Sequence, residues 1–218
     1  NIKKIVFSLP LARYNSFAYI STENNQKPLT PIFKNFLFKR IDSSIFAFKR
    51  TIEKQVFETQ KVINDGEFEV MLDGKIVGVS DDFFSDLEID LIGFKNILSL
   101  LENVSDNSKL ESILKLIENK VSNGEKVVIF TEYKDTLDLL EQSLSSFRVI
   151  RYDSDTKSLV LNKIQKEFDA NLDKRVRTNK IDIIIATDVL SEGVNLHRAS
   201  TLIHFDMKWN PSKITQRN

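Results

Sequence analysis

The second half of this 218-residue chain predicts an α/β fold, a three-layer parallel sheet between helices, and the first half predicts a mainly helical segment carrying a small β-hairpin. Three observations lead there. From residue 105 onward, short apolar runs alternate with stretches at helical spacing; KVVIFT (126–131) and IDIIIAT (181–187) suit strands buried on both faces of a parallel sheet. Strand–helix–strand units with right-handed crossovers build such a sheet. Upstream, EFEVMLDGKIVGV alternates about Asp73-Gly74, a dipeptide that tolerates the positive φ of a type I′ hairpin turn.

Taken in order, residues 1–30 give no firm pattern, although IKKIVFSL (2–9) admits a strand. Pro28 and Pro31 break the chain ahead of the clearest helical period, in which Phe33, Leu37, Ile41, Ile45, Phe48, Ile52 and Val56 recur every three or four residues. Read as one helix of about 30 residues, this stretch spans roughly 45 Å, a length that braces or bridges domains. The hairpin falls near 67–79, and 83–103 reads as another helix. Ser105 or Asp106 can cap a helix carrying Leu110, Ile113, Leu114, Ile117 and Val121, with Gly124 suited to its stop. Asp135 opens a helix with Leu137, Leu140 and Leu144; FRVIRY (147–152) is a strand, Leu159 to Phe168 a helix, Asn171 to Lys180 a basic loop, and TLIHFD (201–206) the last strand. The expected division is 1–104 and 105–218.

Composition excludes several function classes. Lys plus Arg and Asp plus Glu each number 31, so any polyanion contact must be local. The chain has no cysteine, and its two histidines, His197 and His204, cannot make a His-rich metal cluster. No apolar run approaches the ~20 residues of a membrane span, and the start lacks a signal-peptide pattern. The expectation is a soluble, cytoplasmic protein with no bound metal and no membrane partner. Charge is uneven: 33–61 is basic, whereas 65–90 holds nine carboxylates against Lys75 alone, which marks a change of unit. The chain opens at Asn1 and ends at Gln216-Arg217-Asn218, which reads as a piece cut from a longer polypeptide.

In open α/β sheets, ligands bind beyond the carboxyl ends of the strands. Three such ends are polar here: Thr131-Glu132-Tyr133-Lys134; Thr187-Asp188 running to Ser191-Glu192-Gly193-Val194-Asn195; and Asp206, which leads into Lys208-Trp209-Asn210-Pro211. KVVIFTEYKDTLDLL, ATDVLSEGVNL and HFDMKWNPSKITQR resemble, in order and spacing, motifs IV, V and the start of VI of superfamily-two helicases. The WNP before Gln216-Arg217 is similar to the Snf-type branch of DNA translocases and its bacterial relatives. LFKRIDSSIFAFKRTIEK resembles the long helix joining the two lobes in the bacterial branch. The resemblance covers roughly 32–60 and 105–218; residues 61–104 match nothing nameable.

This resemblance implies the RecA-like C-terminal lobe of an ATP-driven motor, cut within motif VI. In the family, ATP and Mg2+ lie between two lobes. The N-terminal lobe, a partner within the same polypeptide, supplies the phosphate loop. Arginine fingers, which neutralise charge on the transferring phosphoryl group, are expected after Asn218. The chain has no G-x-x-x-x-G-K-[ST], so the piece alone is expected to be inactive, with no catalytic residue and no cofactor of its own.

Carried over residue by residue, Gly193, Asn195, Gln216 and Arg217 are the candidate ATP-binding residues, and Thr131, Lys134, Thr187 and Trp209 the candidate nucleic-acid contacts. Asp188 departs from the lysine common in the branch, which puts a phosphate contact there in doubt. Each has a plainer reading: Gly193 and Asn195 as loop residues, Lys134 as a solvated lysine, Trp209 as a core anchor. Lys174, Arg175, Arg177 and Lys180 read first as a solvated loop and second as an electrostatic DNA contact. The function implied is coupling of ATP hydrolysis to movement on duplex DNA, largely independent of sequence. The rivals are an RNA helicase lobe and a non-catalytic nucleic-acid-binding scaffold. The acidic hairpin region reads as a family-specific insertion that contacts a partner.

Overall fold

The computed structural model describes residues 2–20, 27–102, 104, 108–187, 190 and 194–206. The chain forms two compact units, Asn1–Ser105 and Asp106–Asn218, each described by itself.

The first unit opens with helix α1 (Ile2–Ser8), not a strand. Ile2, Ile5, Val6 and Leu9 recur at helical spacing, and all four join one apolar cluster. The long helix expected over 33–61 is two helices, α2 (Thr30–Ser43) and α3 (Ile45–Asp65). Ser44 separates them in an extended conformation (φ −158°, ψ 147°), and its hydroxyl accepts the Ala47 N–H as an N-cap. Buried Arg40 holds the joint, donating to Thr51 Oγ1 at 2.7 Å and to the Ala47 carbonyl at 2.9 Å. The apolar period continues through the break because both helices bury against the same core, in which Leu37, Phe48 and Ile52 are fully buried.

Gly66 (φ 67°) ends α3 in the left-handed conformation that glycine adopts freely. The hairpin follows as β1 (Glu69–Leu72) and β2 (Lys75–Gly78), with Asp73 at φ 48° and Gly74 at φ 78° in the turn. Helix α4 (Asp81–Glu102) packs along α3 and against α1. A Cβ at Gly93 would overlap the Leu9 side chain, so the missing side chain is what brings α1 close.

Asp90, buried on α4, ties down the chain after α1. Its two oxygens accept the N–H groups of Leu11 (2.8 Å) and Ala12 (2.7 Å), where Leu11 holds the uncommon φ of 55°. Burial pushes this carboxyl up to about 6, against the downward pull of the two amides.

The second unit is a four-stranded parallel sheet in the order β4-β5-β3-β6. Its elements are α5 (Ser108–Ser122), β3 (Val127–Phe130), α6 (Lys134–Ser143), β4 (Val149–Tyr152), α7 (Lys157–Phe168), β5 (Ile183–Ala186) and β6 (Thr201–His204). The period-two alternation of strands sorts the core. Val127, Ile129, Ile183, Ile185 and Ile203 meet α5 and α6 on one face. Val128, Phe130, Ile184 and Ala186 meet α7 on the other. Gly124 (φ 76°) turns the chain out of α5 into β3.

Two outcomes are expected. A carboxyl whose folded pKa exceeds its unfolded value of 3.8 confers stability that is fully present below that value and lost as pH rises through about 6. Wild type should therefore lose stability relative to Asp90→Asn between pH 4 and pH 7, by on the order of 3 kcal/mol at most, read from paired urea melts. Gly93→Ala should lower the thermal midpoint, because overpacking costs about 1–3 kcal/mol against a helix-propensity gain of about 1 kcal/mol.

Candidate functional site

Chain direction across the sheet reverses at β3. From β3 the next two strands lie to one side, and β6 returns to pair on the other. The crevice at such a reversal is where open α/β sheets place ligands. Two sequence-predicted strand ends meet there. Thr131, fully buried after β3, donates its hydroxyl to Asp206 Oδ2 at 2.5 Å, and the Glu132 N–H donates to the same oxygen at 2.8 Å. The Tyr133 N–H reaches Thr131 Oγ1 at 3.3 Å, so one carboxylate sets the turn that leads into α6. The other oxygen, Asp206 Oδ1, has no hydrogen-bond partner among the described residues although the residue is only 7% exposed. Lys109 of α5 stands 3.9 Å from it and 4.2 Å from the centroid of the Phe205 ring.

Lys134 is the first residue of α6, on the solvent side of this junction. Its ammonium donates to Asp155 Oδ2 at 2.6 Å, and that hydrogen bond holds the Asp155 carboxyl below the usual carboxylate range. The turn after β4 is organised by Asp153, which accepts the N–H groups of Asp155 and Thr156 at 3.0 Å each and pairs with Arg151 at 2.8 Å. Arg151 also pairs with Asp138 at 2.7 Å and Glu141 at 3.2 Å on α6. Thr187, half-buried after β5, donates its N–H to the Tyr152 carbonyl at 3.1 Å.

The structure thus gathers Thr131, Lys134 and Thr187 at the carboxyl ends of adjacent strands. Asn195 is elsewhere. Its amide lies 3.5 Å from Asp169 Oδ2, just after α7, on the side of the sheet where α7 ends and β5 begins. Gly193, Trp209, Gln216 and Arg217 lie outside the described residues. The basic loop is also on the amino-end side, and two of its cations serve the loop itself. Arg175 pairs with Asp173 at 2.8 Å, and Arg177 donates to the Leu172 carbonyl at 2.7 Å and the Ala170 carbonyl at 2.5 Å.

A second polar node lies beneath the sheet. Glu167, 1% exposed, accepts from Lys126 Nζ at 3.2 Å, from Thr178 Oγ1 at 2.5 Å, and from the Lys180 and Ile181 N–H groups at 2.9 and 3.3 Å. These donors outweigh the upward push of burial and hold the carboxyl below its ordinary range. Lys126 also donates to the Ile181 carbonyl. In sequence, Asp206 was marked only as the polar end of the last strand, and nothing marked Lys109 or Glu167.

A nucleotide with magnesium needs a phosphate cradle and carboxylates for the metal. The sequence has no phosphate loop. Among the described residues, no group of three His, Cys, Asp or Glu side chains is placed to hold an ion. The described residues therefore do not by themselves make a complete nucleotide–metal site.

Thr131→Val should destabilise the chain by about 1–3 kcal/mol, since it strips a donor from a buried carboxylate. Thr131→Ser should stay within a few tenths of wild type because it keeps that donor; thermal melts of both variants check this.

The model of the family described as the helicase conserved C-terminal domain matches residues 108–218. The Helicase SWR1 of Debaryomyces hansenii is 33% identical over 110 residues, covering 49% of this chain and 6% of that protein. The Zorya protein ZorD of Escherichia coli is 36% identical over 118 residues, covering 51% of this chain and 11% of that protein. The chain thus spans about a tenth or less of the length of these relatives. Among solved structures, the Pyrococcus furiosus Hef helicase domain aligns with 99% of this chain and 48% of that one at a TM-score of 0.52 and 12% identity, a likeness of fold alone. No described helix is long and apolar enough to cross a membrane. The matched residues span α5 and the whole parallel sheet, and the chain belongs to the helicase conserved C-terminal domain family.

Proposed function

We propose that residues 105–218 act as the second RecA-like lobe of an ATP-dependent motor that moves along duplex DNA, with residues 1–104 as its helical brace. The observation that carries this reading is the meeting of motif-like segments at one sheet edge: Thr131 after β3, Thr187 after β5 and Asp206 after β6, around the point where strand order reverses. In this reading ATP and Mg2+ are shared with the N-terminal lobe of the longer protein. Gly193, Gln216 and Arg217 are assigned to the nucleotide by their motif positions alone, and Asn195, turned toward Asp169, is left out of that set.

Lys134 and Thr187 contact the phosphate backbone, and Trp209 is assigned to the same contact by its motif position alone. An exposed lysine at a helix start is a point charge suited to sequence-independent phosphate contact. Lys134 exchanges its Asp155 partner for a phosphate, at little cost because an exposed ion pair is weak. Thr131 has a different part from the one its motif position suggests. Its hydroxyl is engaged by Asp206 inside the fold, so it positions the turn that presents Lys134. The protein acts inside the cell.

The test is ATP hydrolysis by the longer protein with duplex DNA, with RNA and with neither. Stimulation by DNA supports the motor reading, stimulation by RNA alone replaces it with an RNA helicase, and no response leaves a scaffold. In the same protein, Lys134→Ala should weaken duplex binding several-fold for any sequence and reduce the slope of log affinity against log salt by about one, measured by anisotropy titrations at several salt concentrations.

A further inference from the structure

The hairpin and the end of α3 have no part in the proposed motor site, and their surface has a consistent chemistry. Two contiguous grooves, of about 560 and 470 Å3, flank the C-terminal half of α3 and share Lys61 and Asp65. Five carboxylates line them, Glu53, Glu58, Asp65, Glu67 and Glu69, against Lys61 and an Arg13 already paired with Glu58 at 2.7 Å. Apolar area is exposed in the same place: Phe57, in the second groove, is 71% exposed, and the cross-strand pair Met71 and Ile76 on the hairpin is 70% and 65% exposed.

The hairpin's backbone gives this surface a direction. The two-residue Asp73-Gly74 turn closes on the Leu72–Lys75 pair, and antiparallel pairs alternate between exchanging hydrogen bonds and not. Leu72–Lys75 and Val70–Val77 therefore bond across the hairpin, while the N–H and C=O groups of Glu69 and Met71 point away from β2. Among the described residues no strand pairs with that outer edge. A free edge of this kind is a template for an added strand. β1 also starts where Glu67, Phe68 and Glu69 line the first groove.

We propose that the outer edge of β1 and the adjoining grooves accept an extended basic segment of a partner protein. The segment would pair with Glu69 and Met71 through its backbone. Its apolar side chains would cover Met71, and its lysine or arginine side chains would enter the carboxylate-lined groove. Charge selects this occupant: the surface attracts cationic side chains and repels nucleic-acid phosphates.

The experiment titrates a short fluorescein-labelled peptide of alternating lysine and valine into the 218-residue chain, read by anisotropy, with an alternating glutamate and valine peptide alongside. The chain's net charge is zero, so bulk charge favours neither peptide. The basic peptide is expected to bind and the acidic one not to. Met71→Pro removes an outward donor and leaves the cross-hairpin bonds intact; paired Glu67→Lys and Glu69→Lys reverses the charge and leaves the edge. Each variant, with its fold checked by circular dichroism, should weaken binding by roughly tenfold or more. Unchanged binding in the charge-reversed variant overturns the proposal, as does equal binding of the acidic peptide. Self-association of the chain that Met71→Pro abolishes would make a second copy the occupant and overturn it as well.

Discussion

A strand hydrogen-bonded on both edges and covered on both faces has no room for a polar side chain along its length. β3 is that strand. β5 and β6 pair with it on either side, and Val127, Val128, Ile129 and Phe130 are all essentially buried between two layers of helices. Polar chemistry is thereby driven to its two ends. At the amino end Lys126 enters a buried ion pair with Glu167, and at the carboxyl end Thr131 is caught by Asp206. The two nodes are not equivalent. The lower one is saturated with donors and pins structure. The upper one keeps an oxygen without a hydrogen bond among the described residues and lies at the carboxyl ends of neighbouring strands. That asymmetry is why the upper edge carries the functional reading.

Much of this was legible in the sequence because the second unit follows rules that act over a few residues. Continuous apolar runs gave the strands that pair in the sheet, and Asp73-Gly74 gave the hairpin its turn, with both residues at positive φ as that turn requires. Gly124 stopped α5 for the same reason. The three polar strand ends were legible too, but not their adjacency: only the sheet shows that Thr131, Thr187 and Asp206 follow three strands that are neighbours.

What the sequence concealed depends on partners far along the chain or on a single local competition. Ser44 interrupts a helical period without disturbing its apolar spacing, because a serine that caps a new helix leaves the buried face in phase. The opening segment alternated too weakly to distinguish strand from helix until a core was present to receive Ile5, Val6 and Leu9. Asp90 looks like one more carboxylate in an acidic stretch, yet it bonds to amides 78 and 79 positions away. Asn195 illustrates the converse limit. Its position in the helicase-like motif suggested one neighbourhood, but β6 must start at the amino end of the sheet, and the chain passes Asp169 on its way there.

The Glu167 carboxylate accepts from Thr178, Lys180 and Ile181 and sits one residue after Lys166, whose carbonyl accepts the Thr178 N–H at 3.0 Å. The excursion from Asp169 to Arg177 is therefore closed at its base by bonds between the end of α7 and the residues leading into β5. Lengthening a loop whose ends are already held costs little, about 0.6 kcal/mol per doubling. The stretch is open to insertion. A tag, a reporter domain or an acquired binding element spliced between Lys174 and Val176 would leave the strand order beneath it untouched.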